Sequence, residues 1–231
     1  MNRFRALLLD LDGTLADTAA DLGGALNALR REEGQGPLPA DRIRPIASDG
    51  ARGLLKLGFE LDPDDPTFAD FRERLLKAYI DRIAEETRLF EGMHSLLQGL
   101  AAGGIAWGVV TNKPAWLTDP LMAALAVEPA PACIVSGDTV SRTKPHPDSL
   151  LYAAEQIACA PEECIYVGDA PRDIEAALAA GMAPVVAAWG YLPEDSDPHA
   201  WGAQAVLHSP SALAEWLEVR VGLPTDQPAA S

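Results

Sequence analysis

Two aspartates, Asp10 and Asp12, follow an apolar run near the start of the chain and precede a Gly13-Thr14 turn. The run, residues 4–10, favours a buried β-strand. A carboxylate at the end of a strand can attack phosphorus, and a second carboxylate two residues away can move the proton. The pattern therefore predicts Asp10 as the nucleophile and Asp12 as the general acid and base of a phosphoryl-transfer reaction.

Three more polar clusters follow apolar runs further along the chain. They are Thr111-Asn112-Lys113, Lys144-Pro145, and Gly168-Asp169 with Asp173 one helical turn later. In a doubly wound parallel sheet, ligands bind in the crevice outside the carboxyl ends of the strands. We therefore expect all four clusters to converge on one crevice.

The acidic residues of these clusters suit a magnesium site. Asp10 and Asp169 offer hard oxygen ligands, which Mg²⁺ prefers. Asp12 and Asp173 complete the predicted metal set, and Asp173 could also hold a metal-bound water or orient Lys144. Lys144 and the Mg²⁺ ion would offset the repulsion between an anionic nucleophile and an anionic substrate, so Lys144 is predicted to be catalytic.

The remaining candidates would bind the substrate. The Thr111 hydroxyl and the backbone amides near Gly13 and Asn112 are predicted to cradle a phosphate group. Arg52 follows a glycine-containing loop that opens a helix, where it could hold a substrate carboxylate. Two readings of Arg52 stay open, because a solvated helix arginine has the same pattern. Asp17 is likewise open between a helix cap and a functional group.

Short apolar strands alternate with helices in the second half of the chain, which predicts an α/β fold with a parallel sheet. Predicted strands lie at 105–110, 133–135, 165–167, 184–188 and near Val206, and helices at 93–102, 116–125, 147–159 and 171–180. Residues 18–86 are predicted to be helical, at 18–33, 50–57 and 66–86, with Thr18 and Asp21 as a capping box.

This pattern predicts three parts. Residues 1–16 and 87–221 form the α/β core, residues 17–86 form an inserted helical cap, and residues 222–231 form a disordered tail.

The composition of the chain limits the kinds of partner and compartment that it fits. A formal net charge of −16 argues against binding to nucleic acid or to an anionic membrane. The three cysteines, Cys133, Cys159 and Cys164, have no CxxC spacing, which fits a reducing compartment. With neither a signal peptide nor a membrane span in the pattern, we expect a cytoplasmic monomer or homodimer that acts on a small molecule.

The four motifs together resemble the haloacid dehalogenase superfamily, whose signature is DxDGT, then Thr or Ser, then Lys, then GDxxxD. The resemblance covers the chain up to about residue 220. It implies a Rossmann-like core, a helical C1 cap after the first motif, and Mg²⁺-dependent phosphomonoesterase activity. The string Phe90-Glu91-Gly92 departs from the Pro-Gly that is common in relatives, at a loop away from the chemistry.

More narrowly, the chain is similar to the phosphoglycolate phosphatase-like members, through residues 10–18, 110–114 and 167–174, and the later strings 180–182 and 189–191 also fit. It also resembles a group that acts on N-acetylmuramic acid 6-phosphate, through residues 50–52, 59–63 and 107–114. The sequence predicts hydrolysis of a 2-phosphoglycolate-type substrate, with the muramyl sugar phosphate as the alternative. A phosphomutase, a 2-haloacid dehalogenase and a non-catalytic binding protein are the remaining alternatives.

Overall fold

The computed structural model describes residues 4–193 and 195–221 of the chain. In chain order the strands are β1 (Ala6–Leu9), β2 (Ala16–Asp17), β3 (Arg88–Leu89), β4 (Ala106–Val110), β5 (Cys133–Val135), β6 (Cys164–Gly168), β7 (Ala183–Ala187) and β8 (Ala205–Leu207). The helices are α1 (Ala19–Glu32), α2 (Ala40–Ile43), α3 (Gly50–Phe59), α4 (Phe68–Ile80), α5 (Met93–Ala102), α6 (Ala115–Leu125), α7 (Asp148–Gln156), α8 (Pro171–Ala180) and α9 (Pro210–Val221). Short 3₁₀ turns cover Arg44–Asp49, Pro161–Glu163 and Pro198–Trp201.

Six strands form one parallel sheet in the order β5-β4-β1-β6-β7-β8. The central strand β1 is buried on both faces, because its alternate side chains enter two different apolar cores. Leu7 and Leu9 pack with residues of α5 and α9 on one face. Ala6 and Leu8 pack with residues of α7 and α8 on the other. The predicted doubly wound, Rossmann-like α/β fold is confirmed.

Helices α1 to α4 lie between β2 and β3 and share a separate apolar core. This core contains Leu26 and Leu29 of α1, Leu54 and Leu55 of α3, and Leu75 and Tyr79 of α4. The ribbon β2–β3 pairs Asp17 with Arg88, so the two connections between the sheet and the helices run antiparallel and side by side. We call residues 17–86 the cap segment.

Two details of the cap segment differ from the sequence expectation. The helix expected at 66–86 is shorter, since α4 ends at Ile80 and turns follow it. The expected capping box of Thr18 and Asp21 is not formed, because neither side chain caps α1. The buried Asp21 carboxylate instead accepts hydrogen bonds from the amides of Glu86 (3.1 Å) and Thr87 (2.9 Å). Asp21 therefore ties the start of α1 to the end of the cap segment.

The C-terminal part adds one unexpected element. Helix α9 was not predicted, although its Leu213 and Leu217 are buried against the sheet. The expected disordered tail, residues 222–231, lies outside the described residues. Within the described ranges, no helix is both long and apolar enough to cross a lipid bilayer.

We predict that Asp21→Ala lowers the free energy of unfolding by about 2–4 kcal/mol, because it leaves buried amides and the Thr87 hydroxyl without their acceptor. Urea denaturation followed by circular dichroism measures this loss. Asp41→Ala is the matched control, an exposed aspartate in the first turn of α2. Equal stability of the two variants would contradict the role given to Asp21.

Candidate active site

Three neighbouring strands deliver the motif residues to one edge of the sheet. Strand β1 lies between β4 and β6, and Asp10, Thr111 and Asp169 directly follow these three strands. Parallel strands have their carboxyl ends at the same edge, so these residues meet although about 160 positions separate the first from the last. Lys144 reaches the same place from the loop between β5 and α7.

Three buried carboxylates form the centre of the site. Asp10, Asp169 and Asp173 each offer an oxygen atom within 4.8 Å of the others. Burial, followed by repulsion from Asp10 and Asp173, raises the pKa of Asp169 to about 7. Burial likewise raises the pKa of Asp10, against the opposing effect of Lys144. Burial and the neighbouring carboxylates thus both disfavour the charged form of Asp169.

Lys144 is the cation inside this cluster. Its Nζ lies 2.9 Å from Asp10 Oδ1 and 2.7 Å from Asp173 Oδ1. It also donates to the Tyr166 hydroxyl (2.7 Å) and the Val110 carbonyl (3.1 Å). Burial alone would lower the pKa of Lys144, but the two carboxylates outweigh burial and raise it. Lys144 is therefore a fixed, charged ammonium group beside the candidate nucleophile.

The cluster has the donor set that a hard divalent cation requires. Asp169 Oδ1 is buried without a hydrogen-bond partner among the described residues. An unpaired, buried carboxylate oxygen is costly unless a cation or another donor meets it. Oxygen atoms of Asp10, Asp169 and Asp173 could therefore hold such an ion.

Asp12 lies apart from the carboxylate cluster. Its Oδ1 accepts hydrogen bonds from Thr18 Oγ1 (2.6 Å) and Lys113 Nζ (2.8 Å). Lys113 and Thr18 thus hold the Asp12 carboxylate outside the group of three that meet within 4.8 Å, and its role as a metal ligand stays a prediction. Lys113 in turn donates to the hydroxyl of Tyr79 in the cap segment (3.1 Å). Asp12 stays available for proton transfer.

Thr111, Asn112 and Gly13, which were expected to cradle a phosphate, each form hydrogen bonds within the protein. The Thr111 side chain borders the crevice, and its Oγ1 accepts from the Lys113 amide (3.1 Å). The Asn112 side chain instead holds the Lys144 backbone, accepting from its amide (3.1 Å) and donating to its carbonyl (3.0 Å). The Gly13 amide donates to the Ala16 carbonyl (3.0 Å), and phosphate binding by the amides near Gly13 stays a prediction.

The small size of Gly13 is needed for close packing at this turn. Its φ is +82°, and a Cβ atom there would collide with the Asp169 carboxylate. Only glycine allows the turn after Asp12 to approach Asp169 this closely.

A cavity of about 630 Å³ lies between these core residues and the cap segment. Asp10 and Thr111 border it from the core, and Arg52, Lys56 and Arg72 border it from the cap segment. Arg52, the expected substrate ligand, is exposed. The cavity thus joins a floor that includes Asp10 to a wall that carries three cations, of which Lys56 is paired with Asp62 (2.6 Å).

Contacts between the core and the cap segment include residues that the sequence analysis did not single out. Ser48 Oγ donates to Asp169 Oδ2 (2.6 Å). Arg172 donates to the Ser48 carbonyl (2.5 Å) and to Asp49 Oδ1 (3.2 Å). The only available signal was the place of Arg172 inside the GDxxxD string. Asp17, which the sequence left open, pairs with Arg44 at 2.9 Å.

Comparison with known proteins finds one matching family and related phosphatases. The model of the haloacid dehalogenase-like hydrolase family matches residues 7–187. The chain is 40% identical over 216 residues to the phosphoglycolate phosphatase of Xanthomonas campestris pv. campestris strain 8004, covering 91% of this chain and 95% of the relative. It is 35% identical over 216 residues to the N-acetylmuramic acid 6-phosphate phosphatase of Pseudomonas aeruginosa PAO1, covering 94% and 96%.

The fold has solved counterparts. The crystal structure of a predicted phosphoglycolate phosphatase from Haemophilus somnus 129pt superposes with a TM-score of 0.81 at 24% identity, covering 95% of this chain and 99% of that one. The family match extends over more than two thirds of the sequence and includes Asp10, Lys144 and Asp169. The chain therefore belongs to the haloacid dehalogenase-like hydrolase family.

Proposed function

We propose that the chain is a Mg²⁺-dependent phosphomonoesterase that works through an aspartyl-phosphate on Asp10. One observation carries the proposal: Asp10, Lys144, Asp169 and Asp173 form a single buried charge cluster, and Asp10 of this cluster borders the cavity. Such a cluster suits an anionic substrate only where cations offset its charge. The relatives that are named phosphatases support the same chemistry.

The chain's own groups supply each step of this reaction. The Asp10 carboxylate attacks phosphorus, the bond to the leaving oxygen breaks, and Asp12 gives that oxygen a proton. Asp12 then takes a proton from a water molecule, which attacks the aspartyl-phosphate and frees Asp10. Lys144, 2.9 Å from Asp10, offsets negative charge while the phosphoryl group is transferred.

Oxygen atoms of Asp10 and Asp169 would hold the Mg²⁺ ion, with Asp173 beside them. When bound, the ion supplies positive charge against the phosphoryl oxygens and against the mutual repulsion of the carboxylates. Asp173 also anchors Lys144 at 2.7 Å, so it supports the metal set and the lysine together.

The arrangement favours phosphoryl transfer over the alternatives. A dehalogenase displaces halide from carbon, which needs no proton for the leaving group and no cation at this position. Asp12 lines the cavity and is held in place by Lys113 and Thr18, which fits a proton-transfer role. The complete set of charged residues also argues against a protein that only binds a partner.

For the substrate, we propose a phosphate ester that also carries a carboxylate. The cavity offers Arg52, Lys56 and Arg72 on the wall opposite the carboxylate floor, and an arginine can bind a carboxylate with two hydrogen bonds. The compound 2-phosphoglycolate has both groups and is named in several relatives.

N-Acetylmuramic acid 6-phosphate is the second candidate, and the cavity volume favours it. A volume of about 630 Å³ lies within the range of pockets that enclose drug-sized ligands. A two-carbon ester would fill little of this volume, whereas a sugar phosphate that carries a lactyl carboxylate would fill much more. A relative at 35% identity is named for this substrate.

The roles of the larger parts follow from the same proposal. Residues 17–86 would act as a cap that covers the substrate, with 1–16 and 87–221 as the catalytic core. We place the reaction in the cytoplasm, where the three free cysteines would stay reduced. A monomer suffices for the described site, and a homodimer is compatible with it.

We predict that Asp10→Asn lowers kcat by about 10³-fold or more, because the amide cannot act as the nucleophile. Phosphate release from 2-phosphoglycolate and from N-acetylmuramic acid 6-phosphate measures the effect. Asp64→Asn, in an exposed loop of the cap segment, is the control and should retain full activity. An Asp10→Asn protein that is folded by circular dichroism and still active would refute the assignment.

Removal of divalent ions is expected to abolish turnover, and added Mg²⁺ should restore it. Asp169→Asn should raise the Mg²⁺ concentration for half-maximal activity by at least about tenfold, because it removes one charged ligand from the cluster. Titration of EDTA-treated protein with MgCl₂ gives this concentration, again with Asp64→Asn as the control. Full activity in EDTA would contradict the metal site.

Arg52→Ala should raise KM for a carboxylate-bearing ester by about 10- to 100-fold, the loss expected for one charged hydrogen-bonded pair. KM for p-nitrophenyl phosphate, which has no carboxylate, should stay unchanged. Arg31→Ala, an exposed arginine of α1, serves as the control. Equal changes in KM for both kinds of ester would remove Arg52 from carboxylate recognition.

A further inference from the structure

The segment Trp189-Gly190-Tyr191 follows β7 and belongs to none of the four motif clusters, yet it contacts two of them. Trp189 Nε1 donates to the Thr14 carbonyl (3.1 Å). The Tyr191 amide donates to Asp169 Oδ2 (2.8 Å). Gly190 packs so closely on Gly13 and Asp169 that a Cβ atom would collide with both. The segment therefore supports the turn after Asp12 and the predicted metal ligand from the same side.

The Tyr191 side chain reaches the first connection to the cap segment. Its hydroxyl oxygen accepts hydrogen bonds from the amides of Thr18 (2.6 Å) and Ala19 (2.9 Å) and donates to Asp17 Oδ1 (2.9 Å). The first amides of a helix have no partner within the helix, and the Thr18 side chain does not cap α1. A tyrosine more than 170 positions away thus satisfies the start of the first cap helix.

Tyr191 also contacts other parts of the two connections between the core and the cap segment, which we call the hinge. Arg44 of the cap segment bonds both carboxylate oxygens of Asp17 at 2.9 Å, and its guanidinium lies 5.0 Å from the centre of the Tyr191 ring. The ring of Phe90, on the return connection, is centred 6.5 Å from that of Tyr191. Both connections between the core and the cap segment therefore contact Tyr191. Only 2% of this residue is exposed.

We propose that Tyr191 is a positioning residue that fixes the cap segment relative to Asp169. Its backbone amide holds the predicted metal ligand, and its hydroxyl holds the hinge at Asp17, Thr18 and Ala19. Tyr191 is absent from the cavity lining, so it acts on substrate binding through the cap segment rather than by contact. The kinetic part of this inference rests on the proposed phosphatase function, whereas the hinge contacts do not.

Tyr191→Phe separates the two roles. It removes the hydroxyl while leaving the ring and the backbone amide to Asp169 in place. A cap segment that is held less firmly populates its binding-competent position less, which raises the apparent KM in proportion. The hinge loses three hydrogen bonds, and the expected increase in KM is about three- to tenfold, with a smaller change in kcat.

The test compares wild type, Tyr191→Phe and Tyr152→Phe, all loaded with Mg²⁺. Tyr152 is an exposed tyrosine of α7 and provides the matched control. Kinetics with whichever of the two candidate esters wild type hydrolyses give KM, kcat and the Mg²⁺ concentration for half-maximal activity. Hydrogen exchange measured by mass spectrometry follows the hinge amides in a peptide covering residues 15–22 and, for comparison, a peptide from β6.

We expect Tyr191→Phe to raise KM and to speed exchange in the hinge peptide, with exchange in β6 and the Mg²⁺ requirement unchanged. Tyr152→Phe should match wild type. Unchanged hinge exchange in Tyr191→Phe overturns the proposal, and so does a rise in the Mg²⁺ requirement that parallels KM. A wild type that hydrolyses neither ester refutes the proposed substrates, and hinge exchange then decides the role of Tyr191 by itself.

Discussion

The site depends on keeping three carboxylates within 4.8 Å of one another in a buried position. Two like charges about 4 Å apart repel by about 4 kcal/mol at an effective dielectric constant of 20. Lys144 lies within 2.9 Å of two of these carboxylates and offsets part of the repulsion. Burial and the neighbouring carboxylates raise the pKa of Asp169, so a further cation would stabilise its charged form. The sheet places Asp10 and Asp169 close together because β1 and β6 are neighbours that end at the same edge.

The cap segment is bonded to the same charges rather than merely placed above them. Ser48 donates to Asp169, and Tyr79 accepts from the lysine that holds Asp12. Lys113 also lies 4.6 Å from the centre of the Tyr79 ring, where its charge is favoured by the aromatic face. A displacement of the cap would therefore change the surroundings of both Asp12 and Asp169. The cap segment therefore both borders the cavity and forms part of the charge arrangement beside it.

The sequence was informative wherever a short string encodes both a strand end and a polar side chain. Asp10, Thr111 and Asp169 were placed together because apolar runs precede them and parallel strands share an edge. Tyr191 and Ser48 escaped prediction as site residues because neither directly follows a strand of the sheet, and only the folded chain shows their contacts with the hinge and with Asp169. Helix α9 escaped because apolar residues are spread around it, so its sequence shows no clear amphipathic pattern. Spacing alone also cannot show that Lys113 holds the carboxylate of Asp12, which the sequence analysis assigned to the metal ligands.

The charge distribution locates the source of selectivity. A chain with a net charge of −16 repels anionic esters at long range, so positive charge must be concentrated where the ester binds. Lys144 supplies it at the floor, and it lies next to the reacting group in any phosphate ester. The relatives named for phosphoglycolate and for the muramyl sugar phosphate share the family's chemistry, so that floor cannot distinguish their substrates. Discrimination must therefore come from the wall that Arg52, Lys56 and Arg72 build, and from the hinge that sets its distance from the floor.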